Sequence, residues 1–190
     1  MTGAPPSEAP PPRRRRGSAV LVGVAVALIA IGVFVAQSGE QRAVGGDASA
    51  GGRAGAPKVG FERFDGQPAR LEDWRGRPLV VNFWASWCPP CVAEMRDAFE
   101  PLHDKLGDRV AFLGVNLQDT PTAAREVVER TRVTYELARD PDGALFTAFG
   151  GFGMPTTVLV DAEGRVVAQH AGALSDTELE ALVADHFPGG

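Results

Sequence analysis

The only two cysteines of this 190-residue chain stand two residues apart, in Cys88-Pro89-Pro90-Cys91, and their setting constrains the fold more than any other feature. Pro78 to Trp84 (PLVVNFW) is a short, almost continuous apolar run, the pattern of a central strand covered on both faces. From Cys91 onward, Val92, Met95, Phe99, Leu102 and Leu106 recur at helical spacing. Pro101 is expected to kink that helix or divide it. The pair therefore lies where a buried strand gives way to a helix. A cysteine there faces unsatisfied backbone N–H groups and the positive end of the helix dipole. Both favour thiolate over thiol, and thiol pKa values in such places fall to roughly 3.5–7.5. The second cysteine, one turn in, is more sheltered and can resolve a mixed disulfide formed at the first. Pro89 and Pro90 stiffen the intervening loop and remove two N–H donors.

The rest of the region from Lys58 onward reads as one α/β domain of 133 residues. Arg109 to Leu117 (RVAFLGVNL) is a second buried strand. Thr120 followed by Pro121 fits an N-cap with proline at the first helical position, and Ala124, Val127 and Val128 would face the core. Asp142 to Phe149 is expected to form a short helix. Thr156 to Val160 is a third strand, Asp161 to Gly164 a turn, and Arg165 to His170 a strand returning as a hairpin. Ser175 and Glu178 form a capping box for a last helix to about His186. Strand–helix–strand–helix, then hairpin, then helix implies a central mixed sheet flanked by helices.

The residues before Lys58 are of another kind. Residues 1–17 form a polar tail with five prolines and the run Arg13 to Arg16. Ser18 to Ala36 is nineteen residues without a charge, roughly 28 Å as a helix against a hydrocarbon core of about 30 Å. Four arginines before it and near-cancelling charges after it predict a single-pass transmembrane anchor in membrane lipid, N-terminus in the cytoplasm, domain outside. A cleaved signal peptide is the alternative, with Ala43-Val44-Gly45 as a cleavage site. Its apolar region is normally about 7–15 residues, shorter than this one. Either reading exports the domain. Residues 37–57, with six glycines and few large apolar side chains, are expected to be a flexible linker. Six basic residues meet three acidic ones before Lys58; from Lys58 on, thirteen meet twenty-one. So acidic a domain has no electrostatic footprint for nucleic acid.

Other uses of a cysteine pair fit less well. Two thiolates are half of a usual zinc set, and His103, His170 and His186 show no ligand spacing to complete it. A disulfide closing so short a loop adds little stability in the chain-entropy model. A haem attachment site needs histidine directly after the second cysteine, where Val92 stands.

Asn82-Phe83-Trp84-Ala85-Ser86-Trp87-Cys88-Pro89-Pro90-Cys91 resembles the active-site segment of the TlpA/ResA/CcmG-like (DsbE-type) thioredoxins. Leu71 to Pro78 is similar to that family's approach to the first central strand. Gly153 to Thr157 resembles its cis-proline loop, and Asp161 to Gly164 its hairpin turn. The resemblance implies a thioredoxin-like fold with no cofactor or metal, and a redox-active disulfide between Cys88, the exposed nucleophile, and Cys91, the buried resolver. It implies that Pro155 is cis and packed beside the disulfide. Met154 would offer its backbone to an extended substrate segment, Trp87 would cover one side of the site, and Trp84 belongs to the core. Glu94 matches the acidic residue of the family's CxxCxxE pattern, which tunes the cysteines and helps move protons. As an ordinary first-turn acid it would instead serve the helix dipole. Two departures stand out: Arg96 occupies a position where many members have proline, and Gly150-Gly151 replaces the usual β-branched approach to Pro155.

The function implied is an extracytoplasmic thiol–disulfide oxidoreductase, expected to be a disulfide reductase of cytochrome c maturation. Its partners would be protein disulfides, apocytochrome c among them, and a membrane protein that donates electrons. The same residues run in reverse would oxidise thiols of exported proteins, and 30 mV of reduction potential, about 1.4 kcal/mol, separates neighbouring cases. A copper-binding or assembly module is the non-enzymatic alternative. Related copper chaperones space their cysteines by three residues and add a histidine.

Overall fold

The computed structural model describes residues 54–188. Seven strands form one mixed sheet: β1 Phe61–Arg63, β2 Pro68–Ala69, β3 Leu79–Trp84, β4 Ala111–Leu117, β5 Glu136–Asp140, β6 Thr156–Val160 and β7 Val166–Ala171. Their order is β2-β1-β5-β4-β3-β6-β7. β3, β4 and β5 are parallel neighbours, while β6 runs antiparallel to β3 and β7 to β6. All six residues of β3 and all seven of β4 are buried, as expected for strands covered on both faces.

Alternation along β3 divides the core in two. Val80 and Trp84 enter one cluster with Met95, Phe99, Leu102, Ala124, Val127, Leu179 and Val183. Leu79, Val81 and Phe83 enter the other with Leu71, Trp74, Leu145 and Phe149. Successive strand side chains point to opposite faces, so one apolar run serves both layers. The helices α1 Pro89–Glu94, α2 Glu100–Leu106, α3 Pro121–Thr131 and α5 Asp176–His186 supply the first layer. The second receives the short 3-10 helix Leu71–Trp74 and α4 Ala144–Ala148.

Pro101 divides its helix without ending it. Between α1 and α2 the backbone widens into a π turn, Met95–Phe99, closed by the Glu100 N–H donating to the Met95 carbonyl. Proline lacks the N–H of an α-helical bond and its ring crowds the carbonyl four residues back; the wider turn absorbs both. Arg96 lies in this turn, exposed and paired with its neighbour Asp97.

Thr120 caps α3 by accepting from the Ala123 N–H, and Ser175 and Glu178 close the capping box of α5. Three strands escape the sequence reading. β5 (ELARD) carries three charges in five residues and holds its place by pairing with β4 and β1, far away in the chain. β1 and β2 are too short for a periodic signal. Contacts with the sheet begin before Lys58: Gly55 bridges to Arg165, and Val166 N–H donates to the Ala54 carbonyl. Among the described residues no helix is long and apolar enough to cross a membrane. The tail 1–17, the run 18–36 expected to span one, and most of the linker lie outside the described residues.

Candidate active site

β3 ends at Trp84, and Ala85-Ser86-Trp87 turns the chain into α1. This turn is pinned from the loop that follows β4. The Ser86 N–H and hydroxyl donate to the two carboxylate oxygens of Asp119, at 2.7 and 2.9 Å. The same carboxylate accepts from Asn116 Nδ2 at 3.1 Å and from the Thr120 N–H at 2.9 Å. Partial burial alone would raise the Asp119 carboxyl, but these donors together hold it below its usual range. The Cys88 N–H closes the turn on the Ala85 carbonyl at 3.1 Å.

Cys88 is the N-cap of α1 and is disulfide-bonded to Cys91, with 5.3 Å between their Cα atoms. Pro89 and Pro90 fill the first helical positions and carry no N–H, so the first free amide of the helix belongs to Cys91. That N–H points at Cys88 Sγ, at 3.3 Å. In the reduced protein the same amide would face a thiolate, and the sulfur it favours is that of Cys88. Exposure ranks the two as expected, 5% for Cys88 and 0% for Cys91, but the margin is small. The expectation of an exposed Cys88 is corrected: in the disulfide state only an edge of it meets solvent. Trp87, directly before it, is 57% exposed, whereas Trp84 is fully buried core.

The Met154–Pro155 peptide bond is cis. Met154 packs against both core clusters, one of which contains Cys88 and Cys91. Thr156 Oγ1 donates to the Gly153 carbonyl at 2.7 Å, and the Gly172 N–H to the Pro155 carbonyl at 2.9 Å, fixing the loop at both ends. Gly150 has φ +71, and a Cβ on Gly151 would lie 2.4 Å from the Phe146 ring. The two glycines thus answer a positive φ and a close approach.

Glu94 is not a solvated first-turn acid. It is buried, three residues after Cys91 on the same helical stretch, a spacing that puts both on one face. One carboxylate oxygen accepts from Asn82 Nδ2 at 3.1 Å and the other from the Leu174 N–H at 2.8 Å. Burial outweighs both donors and raises its pKa from 4.5 to about 7. It lines a cleft of about 320 Å³ with Pro90, Ala93, Asp97, Leu174 and Asp176.

Four contributors were not singled out from sequence: Asn82, Ser86, Asp119 and the Leu174 amide. Asn82 carried a readable signal, since a polar side chain inside an apolar strand needs a buried partner. Asp119 carried none, because Ser86 is 33 residues away.

A strand, a disulfide at a helix N-terminus, and a cis-proline loop packed beside the same cluster define a thioredoxin-like fold with a dithiol–disulfide centre. Comparison with known proteins agrees. Residues 50–184 match the redoxin family. The ResA thiol–disulfide oxidoreductase of Geobacillus thermodenitrificans is 30% identical over 127 residues, 66% of this chain and 72% of that one. A DsbE homologue from Paracoccus denitrificans, a thiol:disulfide interchange protein, is 37% identical over 122 residues, 63% of this chain and 65% of that one. The crystal structure of a secreted Mycobacterium tuberculosis disulfide oxidoreductase, described as homologous to DsbE of E. coli, superposes with a TM-score of 0.59. It is 25% identical, over 67% of this chain and 96% of that one. The chain belongs to the redoxin family, among its ResA- and DsbE-like members, and is a thiol–disulfide oxidoreductase.

Proposed function

We propose that the chain is an extracytoplasmic disulfide reductase of cytochrome c maturation, anchored in the membrane through residues 18–36 with its N-terminus in the cytoplasm. The observation that carries the reading is the Cys91 N–H aimed at Cys88 Sγ in a helix whose earlier amides are replaced by prolines. Export is supported by the uncharged run behind four arginines and by the likeness to a protein described as secreted.

The Cys88 thiolate attacks one sulfur of a client disulfide, and the departing client sulfur leaves as a thiolate. Cys91 then attacks Cys88 Sγ, expelling the second client sulfur and leaving the Cys88–Cys91 disulfide present in the structure. Two electrons have passed to the client, and a membrane dithiol donor must return them. Glu94, buried on the Cys91 side with a pKa of about 7, accepts the proton that Cys91 loses before it attacks. Met154, beside cis-Pro155, pairs its backbone with the extended client segment, a small case of strand addition. Trp87, Pro89 and Pro90 form the wall around the reacting sulfurs. The Cys-x-x-Cys disulfide of apocytochrome c is a client of the right chemistry.

The test has two arms. Equilibrating the protein with glutathione couples measures its potential: a value well below the glutathione range supports a reductant. A value near about −120 mV, that of a strong oxidant, overturns the direction and leaves thiol oxidation. In cells, Cys91→Ser should accumulate mixed disulfides through Cys88, with apocytochrome c among the trapped chains, whereas Cys88→Ser should trap none. Failure of Cys91→Ser to trap any protein would refute the exchange mechanism.

A further inference from the structure

Two large apolar side chains stand out as exposed among the described residues, Trp87 at 57% and Phe152 at 86%. An isolated surface aromatic is ordinary, but these two stand on the loops at one end of the paired strands β3 and β6, whose register sets Phe83 opposite Thr156. Trp87 is bonded to Cys88. Phe152 is two residues from Met154, so their Cα atoms are within about 7 Å, and Met154 packs on the cluster containing both cysteines.

Phe152 is also held outward. The inner side of its loop is occupied by the Phe146 ring, which leaves no room for even a methyl group on Gly151 and itself packs edge-on against Phe83, with ring centroids 5.2 Å apart. The Gly150 N–H donates to Thr147 and the Gly151 N–H to Phe146, each at 2.9 Å, while Thr156 Oγ1 holds the Gly153 carbonyl on the other side. The backbone that carries Phe152 is bonded on both flanks, so little backbone freedom is lost when a partner covers the ring.

We propose that Phe152 is a specificity-determining contact for the polypeptide client, receiving an apolar side chain two residues from the cysteine that Cys88 attacks. This rests on the reading that Met154 pairs with an extended client segment. In such a segment side chains alternate, so the residue two positions from the attacked cysteine shares its face and meets Phe152 while the cysteine meets the disulfide. The occupant is an unfolded or extended protein segment with an aliphatic or aromatic residue flanking its cysteine.

The experiment uses the full chain and two peptides, each with one Cys-x-x-Cys pair, differing only in Leu or Ser two residues from the cysteine. The readout is the ratio of their kcat/KM values for exchange at Cys88, in either direction. The unaltered protein is expected to prefer the Leu peptide about tenfold, the scale of one buried apolar side chain. Phe152→Ser should bring the ratio close to one, and Phe152→Leu should keep most of it. A ratio equal in the unaltered protein and Phe152→Ser, or equal slowing of both peptides, overturns the assignment of Phe152 alone. No exchange with either peptide in the unaltered protein overturns it together with the proposed function.

Discussion

Replacing Glu94 by Gln removes one titration from the interior, and the structure gives the size and sign of the result. Burial raises this carboxyl from 4.5 in the unfolded chain to about 7 in the fold. Between those values the unfolded chain ionises freely while the folded protein holds its proton, so stability falls as pH rises. The contribution is fully present below pH 4.5 and is lost as pH climbs through about 7. A shift of 2.5 units, from 4.5 to about 7, corresponds to on the order of 3 kcal/mol. Gln fits the same space. Its oxygen can accept from the Leu174 N–H, and its amide can donate to Asn82 Oδ1, which is buried without a partner, once the Asn82 amide turns over. Whatever that exchange of hydrogen bonds costs does not depend on pH. Urea unfolding of the oxidised proteins, with the disulfide intact so that no thiol titrates, isolates the ionisation. Relative to its parent, Glu94→Gln should gain on the order of 3 kcal/mol between about pH 4 and about pH 8, a midpoint shift of roughly 1.5 M if m is about 2 kcal/mol/M. A difference that stays flat across this window would show that Glu94 ionises at no cost in the fold, and the reasoning from burial would fail.

Asp119→Ala removes the acceptor for four donors around the turn before Cys88. It should cost about 2 kcal/mol near neutral pH and slow exchange at Cys88, read by urea unfolding and by reduction of a peptide disulfide. Because the folded carboxyl lies below 3.8, its stabilisation is present above pH 3.8 and disappears as pH falls through the folded value, so parent and variant should converge in acid. Gly151→Ala puts a methyl group 2.4 Å from the Phe146 ring and should cost roughly 1–3 kcal/mol in thermal or urea unfolding. An unchanged midpoint would mean that the ring moves freely.

What could be read in the chain divides by how far each signal has to travel. β3 and β4 announce themselves because both faces are buried and the apolar run is continuous. The caps at Thr120 and Ser175 are legible because donor and acceptor lie three residues apart. The cis bond at Pro155 came from resemblance alone, since X–Pro bonds are trans by default. β5 was illegible: Glu136, Arg139 and Asp140 look like loop residues until β1 and β4 flank them. Around the site the cysteines and Glu94 stand close together in the chain. What gives Glu94 its character is burial among residues far off in the chain, Leu174, 80 residues away, among them.

That distance bears on how the two sulfurs divide their work under the proposed mechanism. The free N–H at the start of α1 reaches Cys88 and favours its ionised form. Glu94 follows Cys91 by one turn, and when ionised it opposes a thiolate there. Each influence thus falls mainly on one cysteine. On that proposal Cys88 attacks first, and Cys91 would become nucleophilic once Glu94, with a pKa of about 7, has accepted its proton. A Gln at position 94 removes the acceptor while leaving the Cys91 N–H in place. The variant should therefore form the first mixed disulfide at an undiminished rate and resolve it slowly, so that the intermediate through Cys88 accumulates on rapid acid quenching. Slowed formation with normal resolution would place the carboxylate's influence on Cys88 instead.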